Sequence, residues 1–180
     1  MRRGERLPGF CVLAVGELKL AIALPERGER VLGLVAGGAT FAEAAALRRQ
    51  PSAYDVVALA DAAIVALPVA AVEALAAAAP RFAANLIDLL AERTLGLQAE
   101  LEASVLQRAP QRLAAYLCSL ARGNGDKIRL PVSKTLLAAI LGIKKETLSR
   151  LLRDLAERRL IEVSRREVRL LDRERLGAVT

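Results

Sequence analysis

The residues best suited to chemistry fall between positions 133 and 153, and they are equipped for hydrogen bonding, not for breaking covalent bonds. Lys145, Glu146, Ser149, Arg150 and Arg153 recur at the spacing of one helix face. An arginine can donate two parallel hydrogen bonds to guanine O6 and N7, and a glutamate can accept from the cytosine amino group. A serine is short enough to touch a base edge or a thymine methyl. Ser133, Lys134, Lys144 and Thr147 flank this face and complete the set expected to touch DNA on this stretch. Glu146 and Arg150 also stand at i, i+4, where they can form a helix-stabilising pair worth only about 0.2–0.5 kcal/mol. The two roles are compatible, since the pair would orient Arg150.

Covalent catalysis is poorly served. The chain has no histidine, which removes Ser-His-Asp and Cys-His machinery, histidine bases and histidine metal sites together. No enzyme activity, catalytic residue or metal site is expected. An enzyme using the strand region as a pocket would also lack clustered carboxylates near a glycine-rich phosphate loop. Cys11 and Cys118 are far apart, and with no signal peptide ahead of them they fit a reducing cytoplasm. Asp61, Pro68 and Glu73 break the Ala/Val-rich run before it reaches the length of a membrane span, so no membrane partner is expected.

The polar face needs two helices held at a fixed angle. Ser133 can cap a helix with Leu136, Leu137, Ile140 and Leu141 on its apolar side, and Gly142 supplies the turn after it. A second helix begins near Lys144 and Lys145, with Leu148, Leu151, Leu152 and Leu155 at i, i+3, i+4, i+7. Ala138 is the small residue at the closest approach, and Leu137, Leu141, Ile143, Leu148 and Leu151 fill the wedge. Small, turn and apolar positions together make the helix-turn-helix pattern, which a generic helical hairpin matches only in part. Residues 160–163 and 167–171 flank Ser164-Arg165-Arg166 as a hairpin. This reads as a wing, with Arg165 and Arg166 placed for phosphates.

Residues 81–108 read as one proline-free helix. Ala83, Ile87, Leu90, Thr94, Leu97, Leu101 and Ser104 step alternately by four and three, the period of a helix seam. Leu86, Leu89 and Leu95 lie off this seam and are free to pack on the strands. Two apolar faces need two partners, so a homodimer through Ile87, Leu90, Thr94, Leu97 and Leu101 is favoured over a helix buried in a monomer. Residues 10–15, 17–23, 30–34, 56–59 and 63–67 read as short strands between turns, followed by a helix over 68–79 that Pro80 ends. Pro110 opens a further helix to 122, with a turn at Gly123-Asn124-Gly125-Asp126 and a short strand at 128–130. The expected domains are 1–80, 81–108 and 109–180.

Charge follows the same division. Residues 1–80 carry 8 basic and 8 acidic side chains, residues 81–108 carry 3 and 4, and residues 109–180 carry 16 and 8. The whole basic excess lies in the part that holds the helix-turn-helix. That suits a polyanion such as DNA, although a merely solubilising surface would show the same balance.

The run Leu141-Gly142-Ile143-Lys144-Lys145-Glu146-Thr147-Leu148-Ser149-Arg150 is similar to the recognition segment of the CRP/FNR superfamily of bacterial transcription regulators. Its Glu-x-x-Ser-Arg form, and the tail Leu171-Asp172-Arg173-Glu174-Arg175-Leu176, resemble the FNR and Dnr subfamilies. Upstream, Gly16-Glu17-Leu18-Lys19-Leu20 and Ala36-Gly37-Gly38-Ala39-Thr40-Phe41-Ala42-Glu43 resemble turns of the family's sensor domain. The resemblance implies an α+β fold: a partial antiparallel β-roll of the cyclic-nucleotide-binding, jelly-roll kind, a long dimerisation helix and a C-terminal winged helix-turn-helix. It also implies that Glu146, Ser149 and Arg150 read a TTGAT-like half-site of double-stranded DNA, with RNA polymerase as a partner if the chain activates. Family members carry further strands ahead of the position of Arg3. The chain is thus expected to be N-terminally shortened, leaving unpaired edges in the roll. An alternative follows, a shortened protein that heterodimerises with full-length relatives and inhibits them.

The effector does not carry over with the resemblance. Cyclic-nucleotide binders hold the phosphate with an Arg-Ser pair, and Ser52 and Ala53 stand at the matching positions, without the cation. Two cysteines cannot supply the four ligands of an iron–sulfur cluster. Dnr-type haem would find no histidine here, and Cys11, the only obvious strong axial ligand in the roll, reads better as a buried strand residue. No cofactor is assigned.

Overall fold

Alternating apolar residues build the first strands. β1 (Phe10–Val15) passes through Gly16 into β2 (Glu17–Leu24), which pairs antiparallel with β3 (Gly28–Ala36). Gly16 has φ 100°, and a Cβ there would lie 2.4 Å from the Asp61 carbonyl oxygen, so no other residue fits. This computed structural model describes residues 1–25, 28–130, 132–164 and 167–179, with the side chains of 122–124 outside that description. The chain divides into two units, Met1–Ala99 and Glu100–Thr180.

In the first unit, β1 lies between β4 (Thr40–Phe41) and β6 (Ala63–Leu67), while β2 lies between β3 and β5 (Asp55–Ala58). Cys11 and Leu13 of β1, Leu18 of β2, Val35 of β3, Phe41 of β4 and Val56 of β5 form one buried cluster. Both sheets therefore share a core, each large side chain in it contributing about 1.5–3 kcal/mol. β1 and β6 have the expected bounds. β4 and the short helix α1 (Glu43–Leu47) are not expected from the sequence, because each is too short to show a period. Among the described residues the far edge of β6 is unpaired, with Ile64, Val65 and Leu67 exposed.

α2 (Val69–Ala78) stops at Ala79, whose backbone is extended, and α3 (Pro80–Leu106) starts on the proline, which a first helical turn accepts because its N–H would be unpaired anyway. No single described helix is long and apolar enough to cross a membrane; α2 and α3 qualify only together, and they are bent by 119°. No residue of α3 is buried. Ala83, Leu86, Leu89 and Leu90 are half-buried, but Ile87, Leu95, Leu97 and Leu101 are 64–66% exposed. Leu95 thus departs from expectation: it does not pack on the strands. Every residue from 91 to 102 is exposed, although the Arg93 side chain still reaches β4 and α1.

The second unit holds α4 (Ala109–Asn124), β7 (Lys127–Arg129), α5 (Lys134–Leu141), α6 (Lys145–Glu157), β8 (Ile161–Ser164), β9 (Glu167–Leu170) and α7 (Arg173–Gly177). Its sheet has the order β7-β9-β8. α4 runs through Gly123 and Asn124, where the sequence suggests a turn; the residue that stops it is Gly125, at φ 68°. α7 is also unexpected. The Asp172 carboxylate caps it by accepting from the Arg175 N–H at 2.9 Å, and Leu176 is fully buried.

Candidate nucleic-acid interface

α5 and α6 meet through three residues, Gly142-Ile143-Lys144. Ser133 Oγ accepts from the Leu136 N–H at 3.2 Å and starts α5. Gly142 adopts the left-handed conformation (φ 66°, ψ 37°), which lets the Ile143 N–H reach the Ala138 carbonyl at 3.0 Å. Leu137, Ala138, Leu141 and Leu148 are buried in the wedge. Ile143 and Leu151 are only half-buried; Leu152 and Leu155 take the deeper positions on α6.

The other side of α6 is open. Lys145, Glu146, Ser149, Arg150 and Arg153 are exposed, as is Lys144 at the N-cap. Thr147 is half-buried and turned from that face. Ser133 and Lys134 are exposed at the start of α5. Arg165 and Arg166 lie outside the described residues. Among the described residues no ion pair joins Glu146 to Arg150, and Asp154, one turn further on, is held by Arg158 at 3.6 Å. The side chains of Glu146 and Arg150 thus remain available to a ligand. The N-cap residue of α6, Lys144, makes no side-chain cap hydrogen bond, so the first turn keeps the unpaired N–H groups and partial positive charge of a helix N-terminus.

The sheet beside these helices carries cations that the sequence reading passed over. Lys127 on β7 stands opposite Arg169 on β9, with Arg129 two positions on, all exposed. Their alternation with buried Ile128, Val168 and Leu170 was the available signal. Lys127 is partly neutralised by Glu167 at 3.2 Å.

In the first unit, Glu43 opens α1 and is buried. Its Oε1 accepts from Thr40 Oγ1 at 2.5 Å and from Arg93 Nη2 of α3 at 3.3 Å. Ser52 is buried too, but its hydroxyl donates to the Tyr54 carbonyl at 2.6 Å. Among the described residues no three cysteine, aspartate or glutamate side chains gather as a metal site requires.

The family model for the Crp-like helix-turn-helix domain matches residues 111–179, and that for the cyclic nucleotide-binding domain matches residues 1–79. The cyclic AMP receptor protein of Thermus thermophilus is 31% identical over 181 residues, covering 97% of this chain and 83% of that protein. The chain belongs to the CRP/FNR family of transcription regulators. The nitrogen fixation regulation protein FixK of Rhizobium meliloti is 41% identical over 68 residues, 37% of this chain and 31% of that one. The structure of FixK2 from Bradyrhizobium japonicum has the same fold, with a TM-score of 0.77 at 21% identity over 98% of this chain and 90% of that one.

The CRP/FNR fold raises the question of a cyclic nucleotide, and the residues present do not fit one. A cyclic phosphate needs a cation beside it, yet Ser52 spends its hydroxyl on its own turn and Ala53 has nothing to offer. Glu43 already accepts from Thr40 and Arg93 through its Oε1. It serves here as a structural carboxylate.

Proposed function

We propose that this CRP/FNR-type regulator binds a two-fold symmetric operator as a homodimer, reading TTGAT-like half-sites with Glu146, Ser149 and Arg150. The observation that carries the reading is the open face of α6: six polar or charged residues from Lys144 to Arg153 are exposed while the opposite face is buried. Lys134, Lys144, Lys145 and Arg153 would hold phosphates and fix the register, which positions the protein without reading sequence. Arg165 and Arg166 at the wing would do the same.

The homodimer is proposed through α3. Ile87, Leu97 and Leu101 stand exposed on one seam, with half-buried Leu90 between them. The hydroxyls of Thr94 and Ser104 bond back to the carbonyls of Leu90 and Leu101, both at 2.8 Å, so neither brings an unsatisfied group to an apolar contact. An activating role would add RNA polymerase as a partner. Selection of bound fragments from a random DNA pool tests the whole reading. The expected result is two inverted TTGAT-like half-sites with centres about one helical turn apart; recovery of no enriched sequence would reject it.

A further inference from the structure

Two residues, Gln107 and Arg108, separate α3 from α4, and each of their backbone polar groups has a partner. The Gln107 N–H donates to the Ala103 carbonyl at 3.0 Å, and the Arg108 N–H donates to Gln111 Oε1 at 2.7 Å. The Arg108 carbonyl accepts from the Arg112 N–H at 3.1 Å, and the Gln107 carbonyl accepts from Arg112 Nη1 at 2.6 Å. A link this short, with all four groups bonded, is not a slack tether.

The Arg112 side chain reaches further. Its Nε donates at 3.2 Å to the carbonyl of Leu141, the last residue of α5 and the one before Gly142. A cation there meets the negative end of α5, where it is electrostatically favoured. The rigid guanidinium places two donors on different edges of one plane, so a single side chain holds the α3–α4 link and the helix-turn-helix turn together. Its backbone anchors it firmly, because Leu113, the next residue, is fully buried.

We propose that Arg112 is a positioning residue that ties the α3–α4 link to the turn between α5 and α6. The pose of α6 relative to the end of α3 is then preset by hydrogen bonds. In a two-fold dimer that pose determines the separation and tilt of the two recognition helices, and so the half-site spacing the protein accepts. This inference rests on α6 reading DNA and α3 pairing the chains.

The test uses the full chain carrying Arg112→Gln or Arg112→Lys, the latter keeping the charge but losing the fork. Both should select the same half-site sequence as the parent, and bind a single half-site within about twofold of it, while spacing preference broadens and affinity for the best two-fold site falls about tenfold. Unchanged spacing in both variants would overturn the proposal. So would an equal loss on single and paired half-sites, which would make Arg112 a support for the helix-turn-helix fold alone. If the parent itself selects no two-fold site, the DNA-reading proposal fails, and amide exchange judges Arg112 separately. Arg112→Gln should then speed exchange at Gln107 and Arg108 about tenfold while Leu148 and Leu152 stay protected. No change at the link, or equal acceleration everywhere, overturns the clamp.

Discussion

Arg93 Nη2 lies 3.3 Å from Glu43 Oε1 and 3.0 Å from the Thr40 carbonyl oxygen, so one residue of α3 holds a buried carboxylate at the start of α1. The arrangement is asymmetric: the Glu43 side chain is 8% exposed and that of Arg93 is 51% exposed. Among the described residues, removing Arg93 leaves the Thr40 hydroxyl as the carboxylate's side-chain partner, whereas removing the charge of Glu43 leaves a guanidinium that water can solvate. Arg93→Ala should therefore cost about 1–3 kcal/mol and Glu43→Gln less. Denaturant unfolding of the two variants decides this, and a larger loss for Glu43→Gln would contradict it.

The same cluster bears on ligand binding. With Glu43 engaged and no cation at Ser52 or Ala53, titration of the protein with a cyclic nucleotide should give no saturable heat. Saturation at micromolar nucleotide would mean that the Arg93–Glu43 pair opens to admit it.

Tyr54 and Tyr116 should titrate above the ordinary phenol range. Burial raises both, and the Glu43 charge adds to the effect at Tyr54. A folded-state value above the unfolded one means the native chain keeps these protons longer. The associated stability is complete below about pH 10 and is lost as pH rises through the folded-state titration. The chain has two tyrosines and no tryptophan, so phenolate absorbance follows them cleanly. The native curve should lie to the alkaline side of the denatured one, and coincident curves would refute the assignment.

Long periodic stretches were legible in the sequence. The bounds of β1 and β6, the break at Ala79 and Pro80, and the α5–Gly142–α6 turn all follow from apolar spacing and from residues with special backbone needs. Features whose cause lies far along the chain were not. Arg112 is an ordinary charge in an amphipathic helix until Leu141 comes beside it, and Arg93 gives no hint of Glu43. Short elements such as β4, α1 and α7 hold too few residues to show a period, and α7 depends on the burial of one leucine against the rest of its unit. Exposure on α3 was half legible: its apolar spacing was visible, but how far the strands cover the helix was not, and Leu95 was misplaced for that reason.

The exposed seam invites a direct test. Leu97→Lys with Leu101→Lys puts two cations per chain where two copies would meet, without touching any buried residue. Sedimentation should show a folded monomer, with affinity for a two-fold site reduced to that of a single half-site. A dimer that survives would place the interface elsewhere.

Gly142 carries the turn, and its backbone conformation is one that residues with a Cβ avoid by about 1–2 kcal/mol. Gly142→Ala should lower unfolding stability by about 1 kcal/mol. It should weaken DNA binding more on specific than on random sequence, since it tilts α6 without removing any charge. An Ala variant as stable as the parent would show that the turn tolerates the strain.

Arg150 separates base reading from phosphate binding. It is exposed on the open face of α6 and has no ion-pair partner among the described residues, Glu146 included. If its fork lies against a guanine, Arg150→Ala should cost about 1–3 kcal/mol on the cognate site and relax preference at one base pair, with little change on random DNA. Lys145→Ala should behave in the opposite way, weakening all sequences alike and lowering the salt dependence by about one counterion. Binding measured on cognate and scrambled duplexes at two salt concentrations distinguishes the patterns. A uniform loss for Arg150→Ala would reassign it to the phosphate backbone and leave Glu146 and Ser149 as the remaining candidates for reading sequence.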